Sequence, residues 1–149
     1  MSSTSPASSA APRSGALSAY RALAHVLPVL VLIQAWMAGS SNVLFGSLDI
    51  DLHGMVGNVT FLLALIVFAL ALVARAGGPA IVVSGVLALL LFAQIGLGYI
   101  GRDTEAAAAW HIPNGVLIFG LATYQISLSR LLGGARRGAE TLGSAPAQR

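Results

Sequence analysis

The sequence predicts an all-α, polytopic membrane protein, an up-down four-helix transmembrane bundle built from two similar helical hairpins. Three observations lead to this prediction. Of the 149 residues, 56% are hydrophobic and only 9% are charged, whereas an average soluble domain has about 25% charged residues. Four uncharged stretches each exceed the ~20 residues that a helix needs to cross a hydrocarbon core. The alternating segments of about 10 residues that a transmembrane β-barrel requires are absent from the sequence.

Charged and turn-forming residues delimit the spans. The four spans lie near 20–39, 53–74, 79–101 and 106–131, within a transmembrane domain of residues 20–132. Residues 39–42 and 77–79, rich in glycine and serine or proline, form turns after the first and second spans. Residues 102–105 place a helix cap and acidic residues before the fourth span. The Ser-, Ala- and Gly-rich segments 1–19 and 133–149 are predicted to be disordered cytoplasmic tails.

The first span has a second interpretation, as a cleaved signal peptide that ends near Ala38. A cleavage site needs a small residue three positions before the cut, and Trp36 fits that requirement poorly. We therefore treat the first span as a retained helix.

The arginines predict the orientation of the bundle. Seven arginines fall on one side of the predicted spans: Arg13, Arg21, Arg75, Arg130, Arg136, Arg137 and Arg149. Arg102 alone falls on the other side, together with four of the five acidic residues. By the positive-inside rule, both termini are cytoplasmic. The calculated pI of 10.2 thus follows from topology and tails, and gives no reason to expect a nucleic-acid partner.

The two hairpins repeat their rarest residues. Gln34 in the first span precedes His53 by 19 positions, and Gln94 in the third span precedes His111 by 17 positions. In each hairpin a glycine follows the histidine by four residues. With both termini inside, this is a parallel repeat about an axis normal to the membrane. Chance similarity is the rival interpretation, because alanine, leucine, valine and glycine align with almost any apolar segment.

The paired histidines predict a haem site. Polar side chains within a membrane usually face the bundle interior. Because the second and fourth spans lie diagonally, His53 and His111 are expected to meet across the axis in the outer leaflet. Neutral imidazoles on opposite sides of a flat gap suit axial ligation of haem iron. The absence of cysteine excludes a disulfide, a thiolate metal site and a covalent c-type attachment, so the expected cofactor is haem b.

Further residues are assigned to the same site. Three glycines are expected to leave room for the macrocycle: Gly57, Gly98 and Gly115. Arg102 is the candidate partner for the haem propionates, because it is the only cation on its side. Asn58 and Asn114 are close enough in sequence to the histidines to serve as hydrogen-bonding partners.

Several of these residues also have simpler interpretations. Gln34 and Gln94 are favoured as interhelical hydrogen-bonding residues over cofactor contacts, and the glycines also serve as close-packing positions. His25 lies nine residues before Gln34 and on the opposite face of the helix, so it is left out of the site.

A histidine at the head of both the second and the fourth span resembles one half of heme A synthase, whose eight helices form two similar units with paired ligand histidines. The resemblance covers residues 20–132 and matches His53 and His111 to the ligand positions. The chain departs from the synthase motif Glu-x-x-His-Arg, because Ile50 stands three residues before His53 and Gly54 follows it. The resemblance therefore implies a bundle that holds a cofactor, and we expect no enzymatic activity.

The chain also resembles an uncharacterised family of small four-helix actinobacterial membrane proteins. The matching residues are "QAWMAG", from Gln34 to Gly39, and "HIPN", from His111 to Asn114. This resemblance implies a multi-pass protein of the bacterial plasma membrane and supplies no activity.

The leading functional hypothesis is a protein that holds one bis-histidine haem for electron transfer, or as an accessory to a respiratory or haem-handling complex. Two axial ligands leave no open iron position, which favours electron transfer over oxygen chemistry. The alternative is a cofactor-free structural or assembly subunit. A small transporter ranks third, because every acidic residue lies outside the spans. The expected partners are the lipid bilayer and either a larger membrane complex or a quinone near residues 95–101.

Overall fold

In a computed structural model of the protein, the described residues, 10–40 and 48–143, form four α-helices. The helices are α1 (Ala10–Gly39), α2 (Leu48–Ala74), α3 (Gly78–Ile100) and α4 (Glu105–Gly143). Each contains a segment of at least 23 residues that is long and apolar enough to cross a membrane. The predicted class is confirmed, and the chain is a multi-pass integral membrane protein with an all-α four-helix fold.

The helices pack in a ring that leaves two diagonal pairs. α1 and α3 each pack against both α2 and α4, so α2 lies across the bundle axis from α4. The interior is filled largely by small and aliphatic side chains, among them Ala24, Ala64, Ala71 and Ala122, which are at most 1% exposed. Many other large apolar side chains point outward, and Trp110 and Ile112 are 68% and 73% exposed. This outer surface contacts lipid.

The helices extend further at the chain ends than the sequence predicts. Residues 10–19 belong to α1 and residues 133–143 belong to α4, where disordered tails were expected. Residues 10–19 include four alanines, and residues 133–143 include two alanines and two arginines, all strong helix formers. Extending an existing helix also avoids the cost of a new nucleus, so residues 133–143 stay helical despite their four glycines. Residues 1–9 and 144–149, the rest of the predicted tails, lie outside the described residues.

The turn between α2 and α3 falls where the glycine and proline residues predict it. The amide of Ala76 donates to the carbonyl of Ala71 at 2.9 Å, and the amide of Arg75 donates to the carbonyl of Leu72 at 3.1 Å. This pair of bonds is a Schellman motif, with Arg75 in the left-handed position at φ 50°. Gly77 follows at φ 82°, a conformation that favours glycine.

A fully buried polar pair joins α3 to α4 in the half of the bundle nearer the chain termini. The Gln125 amide donates from Nε2 to Ser84 Oγ at 2.7 Å, and Ser84 donates to the carbonyl of Ala80 at 2.7 Å. Both side chains are at most 1% exposed. Oε1 of Gln125 has no hydrogen-bond partner in the described part of the chain. The bond from Nε2 to Ser84 is therefore the one hydrogen bond that this side chain makes to the described residues.

We expect Ser84→Ala to lower the free energy of unfolding by about 1 to 2 kcal/mol, because it leaves the buried Gln125 amide without a partner. Equilibrium unfolding in mixed micelles with increasing sodium dodecyl sulfate measures this loss. The double variant Ser84→Ala, Gln125→Met serves as control and should lose less than Ser84→Ala alone, since it removes both polar groups. A single variant as stable as the parent contradicts the assignment.

Candidate cofactor site

The two predicted ligand histidines meet across the bundle axis. His53 lies near the start of α2 and His111 near the start of α4, so both belong to the end of the bundle where α1 and α3 finish. We call this the histidine end. The centroids of the two imidazole rings are 6.1 Å apart, and the ring planes are inclined at 58°. The rings come from diagonal helices, and each is partly buried.

Each histidine is attached by its backbone to a glutamine of the preceding helix. Gln34 of α1 donates from Nε2 to the carbonyl of His53 at 2.9 Å. Gln94 of α3 donates from Nε2 to the carbonyl of His111, also at 2.9 Å. The interpretation of both glutamines as interhelical hydrogen-bonding residues is thus confirmed. The same bond fixes the depth of each histidine relative to the neighbouring helix.

The two imidazoles differ in their own hydrogen bonds. Nδ1 of His53 lies 3.2 Å from the backbone oxygen of Gln34. Because a carbonyl oxygen can only accept, Nδ1 carries the proton in this bond and Nε2 keeps its lone pair. Nδ1 of His111, in contrast, is buried and has no partner in the described part of the chain. Each histidine therefore retains nitrogen capacity for a further contact.

Two asparagines near the histidines bond to other groups. Asn114 donates from Nδ2 to Oε1 of Gln94 at 2.7 Å and to the carbonyl of Leu90 at 3.0 Å. Asn58 donates to the hydroxyl of Tyr99 at 3.3 Å. The expectation that these asparagines are local partners of the histidines is therefore wrong. Their side chains reach the neighbouring helix α3 instead.

The three predicted glycines provide room for protein side chains. A Cβ atom on Gly57 would lie 3.9 Å from the Gln34 amide, and one on Gly115 would lie 3.3 Å from Nε2 of Gln94. A Cβ atom on Gly98 would lie only 3.1 Å from Cε1 of His111. The close-packing interpretation describes these contacts, because the glycines make space for the glutamines and for one imidazole.

A cavity of about 910 Å³ opens at the histidine end and is lined by all four helices. His53, His111 and the three glycines line it, as does Arg102. Its volume lies within the range of roughly 300 to 1,000 Å³ that is typical of small-molecule and cofactor sites. The guanidinium of Arg102 is exposed and lies 5.5 Å from the centre of the Tyr99 ring. The cavity thus carries a positive charge at its outer edge.

The geometry of the histidine pair fits a metal that brings its own equatorial ligands. Among the described residues, no group of three or more His, Asp or Glu side chains is placed to hold a metal ion. Haem iron needs only two protein ligands, since the porphyrin supplies the other four nitrogens. A metal between two imidazoles, at ~2 Å per metal–nitrogen bond, separates the ring centroids by about 6 Å. The observed 6.1 Å allows a metal between the rings, and it is also an ordinary distance for two rings in contact.

His25 lies outside this site, as expected. Its Nδ1 donates to the carbonyl of Arg21 one turn earlier in α1, at 2.7 Å, and the side chain is exposed.

The fold and the cavity together define the class of this protein as a four-helix membrane protein with a histidine-lined cavity at one end. Comparison of the chain with protein-family models, with curated proteins and with solved structures finds no match.

We expect Gln94→Leu to destabilise the bundle more than Gln34→Leu, by about 1 to 2 kcal/mol against about 0.5 to 1 kcal/mol. Gln94 both donates to His111 and accepts from Asn114, whereas Gln34 makes one interhelical bond through its amide. Unfolding in sodium dodecyl sulfate compares the two variants. Asn114→Leu should cost less in the Gln94→Leu background than alone, because the pair shares a bond. Additive losses are inconsistent with this coupling.

Proposed function

We propose that this protein holds one b-type haem between His53 and His111, for electron transfer or as an accessory to a respiratory or haem-handling complex. The observation that supports this function best is the placement of two imidazoles from diagonal helices at a centroid distance of 6.1 Å, beside a cavity of about 910 Å³. The matched Gln34 and Gln94 bonds support the further proposal that the two hairpins are an internal repeat.

The haem would supply the redox-active iron, and the chain would supply ligands and electrostatic surroundings. The hydrogen bond from Nδ1 of His53 to the backbone oxygen of Gln34 fixes the His53 ring and leaves its Nε2 free to bind the iron. Gly98 leaves room for the ring of His111. Arg102 would pair with a propionate at the edge of the cavity, since an arginine matches a carboxylate in both charge and shape. With both histidines as ligands, the iron would have no open position, which favours electron transfer over oxygen chemistry.

The optical spectrum of the purified protein tests this proposal. After expression with ample haem, we expect a Soret band and the sharp visible bands of a six-coordinate b-type haem on reduction. A colourless preparation that also fails to take up added haem overturns the proposal.

A cofactor-free assembly subunit is the second candidate, and the glutamine bonds favour it. The side-chain amides of Gln34, Gln94 and Asn114 all form hydrogen bonds between helices. In that case the protein should copurify with a larger membrane complex. Replacing Gln34 or Gln94 should then disrupt assembly of that complex, with no change in absorption.

We also propose that the protein lies in the bacterial plasma membrane with both termini in the cytoplasm, on the basis of the arginine distribution. Because the chain has no cysteine, single cysteines report topology cleanly. Thr104→Cys, between α3 and α4, should react with a membrane-impermeant maleimide added to intact cells. Gly15→Cys, near the start of α1, should react only after the cells are opened. The reverse pattern contradicts the orientation.

A further inference from the structure

The two hairpins differ where they meet each other. We call the contact of α2 with α3 the α2–α3 seam and the contact of α1 with α4 the α1–α4 seam. Gln94 stands 60 positions after Gln34, and His111 stands 58 positions after His53. The same offsets pair Tyr99 with Gly39 and Val116 with Asn58. The residues at the two seams can therefore be compared one by one.

Side-chain contacts close the α2–α3 seam. Asn58 of α2 donates to the hydroxyl of Tyr99 of α3 at 3.3 Å. Further from the histidine end, the rings of Phe61 and Phe92 pack at a centroid distance of 5.9 Å. The guanidinium of Arg102 lies over the Tyr99 ring, 5.5 Å from its centre. Two side-chain contacts thus join α2 to α3, and the residues of the first, Asn58 and Tyr99, also line the cavity.

The counterparts at the α1–α4 seam make no such bond. Gly39 has no side chain and Val116 has no polar atom, so the hydrogen bond of the other seam has no equivalent here. Both residues line the cavity and both are exposed, Val116 by 68%. Among the described residues, which resume at residue 48 after Ser40, a Cβ atom placed on Gly39 would meet nothing within 4 Å. None of these residues fills the seam beside Gly39.

Helix geometry agrees with placing these two residues at the α1–α4 seam. Gln34 reaches α2, and Gly39 lies about 140° further around α1, at 100° per residue. Asn114 reaches α3, and Val116 lies about 200° around α4 from it. Gly39 therefore faces away from α2, and Val116 faces away from α3. Ala35, one turn before Gly39, is also small and exposed and lines the cavity.

We propose that haem reaches its two histidines sideways from the lipid, through the α1–α4 seam at Gly39 and Val116. The pair of Asn58 and Tyr99 keeps the opposite seam closed. This inference rests on the proposed haem function and adds the route of loading. Apart from its two propionates the haem macrocycle is apolar, so it dissolves in the bilayer with the propionates at the interface. The exposed apolar side chains beside the seam let the ring enter from the lipid.

Bulky substitutions at matched glycines test the route. Gly39→Phe fills the open seam and should slow haem uptake by the apoprotein in liposomes at least 10-fold, without changing the final occupancy. Gly96→Phe is the control, because Gly96 also has open space around it but lies on α3 and is not among the residues that line the cavity. Its uptake rate should stay within twofold of the parent. The proposed route is wrong if Gly39→Phe takes up haem as fast as the unmodified protein. It is also wrong if both variants slow haem uptake equally.

A second measurement does not need haem. Thr60 is buried and lines the cavity, so Thr60→Cys places the only thiol of the chain inside it. A lipid-soluble maleimide should label this thiol at least 10-fold more slowly when Gly39→Phe is added, and at an unchanged rate when Gly96→Phe is added. If the unmodified protein never takes up haem, the haem function is wrong. If the unmodified protein takes up haem, but Gly39→Phe changes neither haem uptake nor thiol labelling, only the proposed route is wrong.

Discussion

Replacing either His53 or His111 with alanine is expected to weaken haem binding at least ~100-fold, since even a residue that only supports a metal ligand is worth 10- to 100-fold in affinity. Each substitution removes one of two imidazoles whose centroids lie 6.1 Å apart. Haem titration of the purified apoprotein measures the dissociation constant, and the reduced spectrum reports the coordination number. The remaining histidine should give at most a weak five-coordinate species.

Two comparisons separate ligation from structural damage. His25→Ala should leave both spectrum and affinity unchanged, because that ring bonds to Arg21 on the exposed face of α1. Added imidazole should restore the six-coordinate spectrum to His53→Gly and His111→Gly, which a folding defect would not permit. If both alanine variants retain haem fully, the assignment of His53 and His111 as haem ligands is wrong.

The sequence predicts the bundle and the histidine pair because both depend on rare residues in an apolar background. Uncharged stretches set the spans, and diagonal placement in an up-down bundle brings His53 opposite His111. The matched Gln-to-His spacing of 19 and 17 residues corresponds to the two equal glutamine bonds. These patterns do not depend on the exact rotation of each helix, and the spans and the histidine pair can therefore be predicted from the sequence alone.

Contacts that depend on rotation and register could not be predicted in this way. The bond from Asn58 to Tyr99 and the bond from Gln125 to Ser84 each join residues 41 positions apart. Neither pair has a spacing signal, because the partners lie on different helices whose relative depth is set by packing. The glycines illustrate the same limit. Sequence predicts space beside the ligands, but the side chain nearest to Gly57 is Gln34.

Gly101→Ala is expected to destabilise the protein by about 1 to 3 kcal/mol, the usual cost of overpacking. Gly101 is the C-cap of α3 and has an ordinary right-handed conformation, with φ −64° and ψ −12°. Its backbone angles therefore do not require glycine, but its surroundings do. An added Cβ atom would lie 2.7 Å from the carbonyl oxygen of Leu97 and 3.1 Å from the amide nitrogen of Ala108 in α4. Backbone atoms cannot rotate away. The contact with Leu97 lies within α3 and strains the end of that helix, whereas the contact with Ala108 requires α3 and α4 to separate.

The separation would also reach the candidate site, because His111 lies one turn after Ala108 on α4. We therefore expect Gly101→Ala to weaken haem binding as well as to lower the free energy of unfolding in sodium dodecyl sulfate. Gly96→Ala is the matched control within α3, since its added Cβ would meet nothing within 4 Å. It should stabilise the helix by up to about 1 kcal/mol. If Gly101→Ala is as stable as Gly96→Ala, the close approach of α3 and α4 at this turn is wrong.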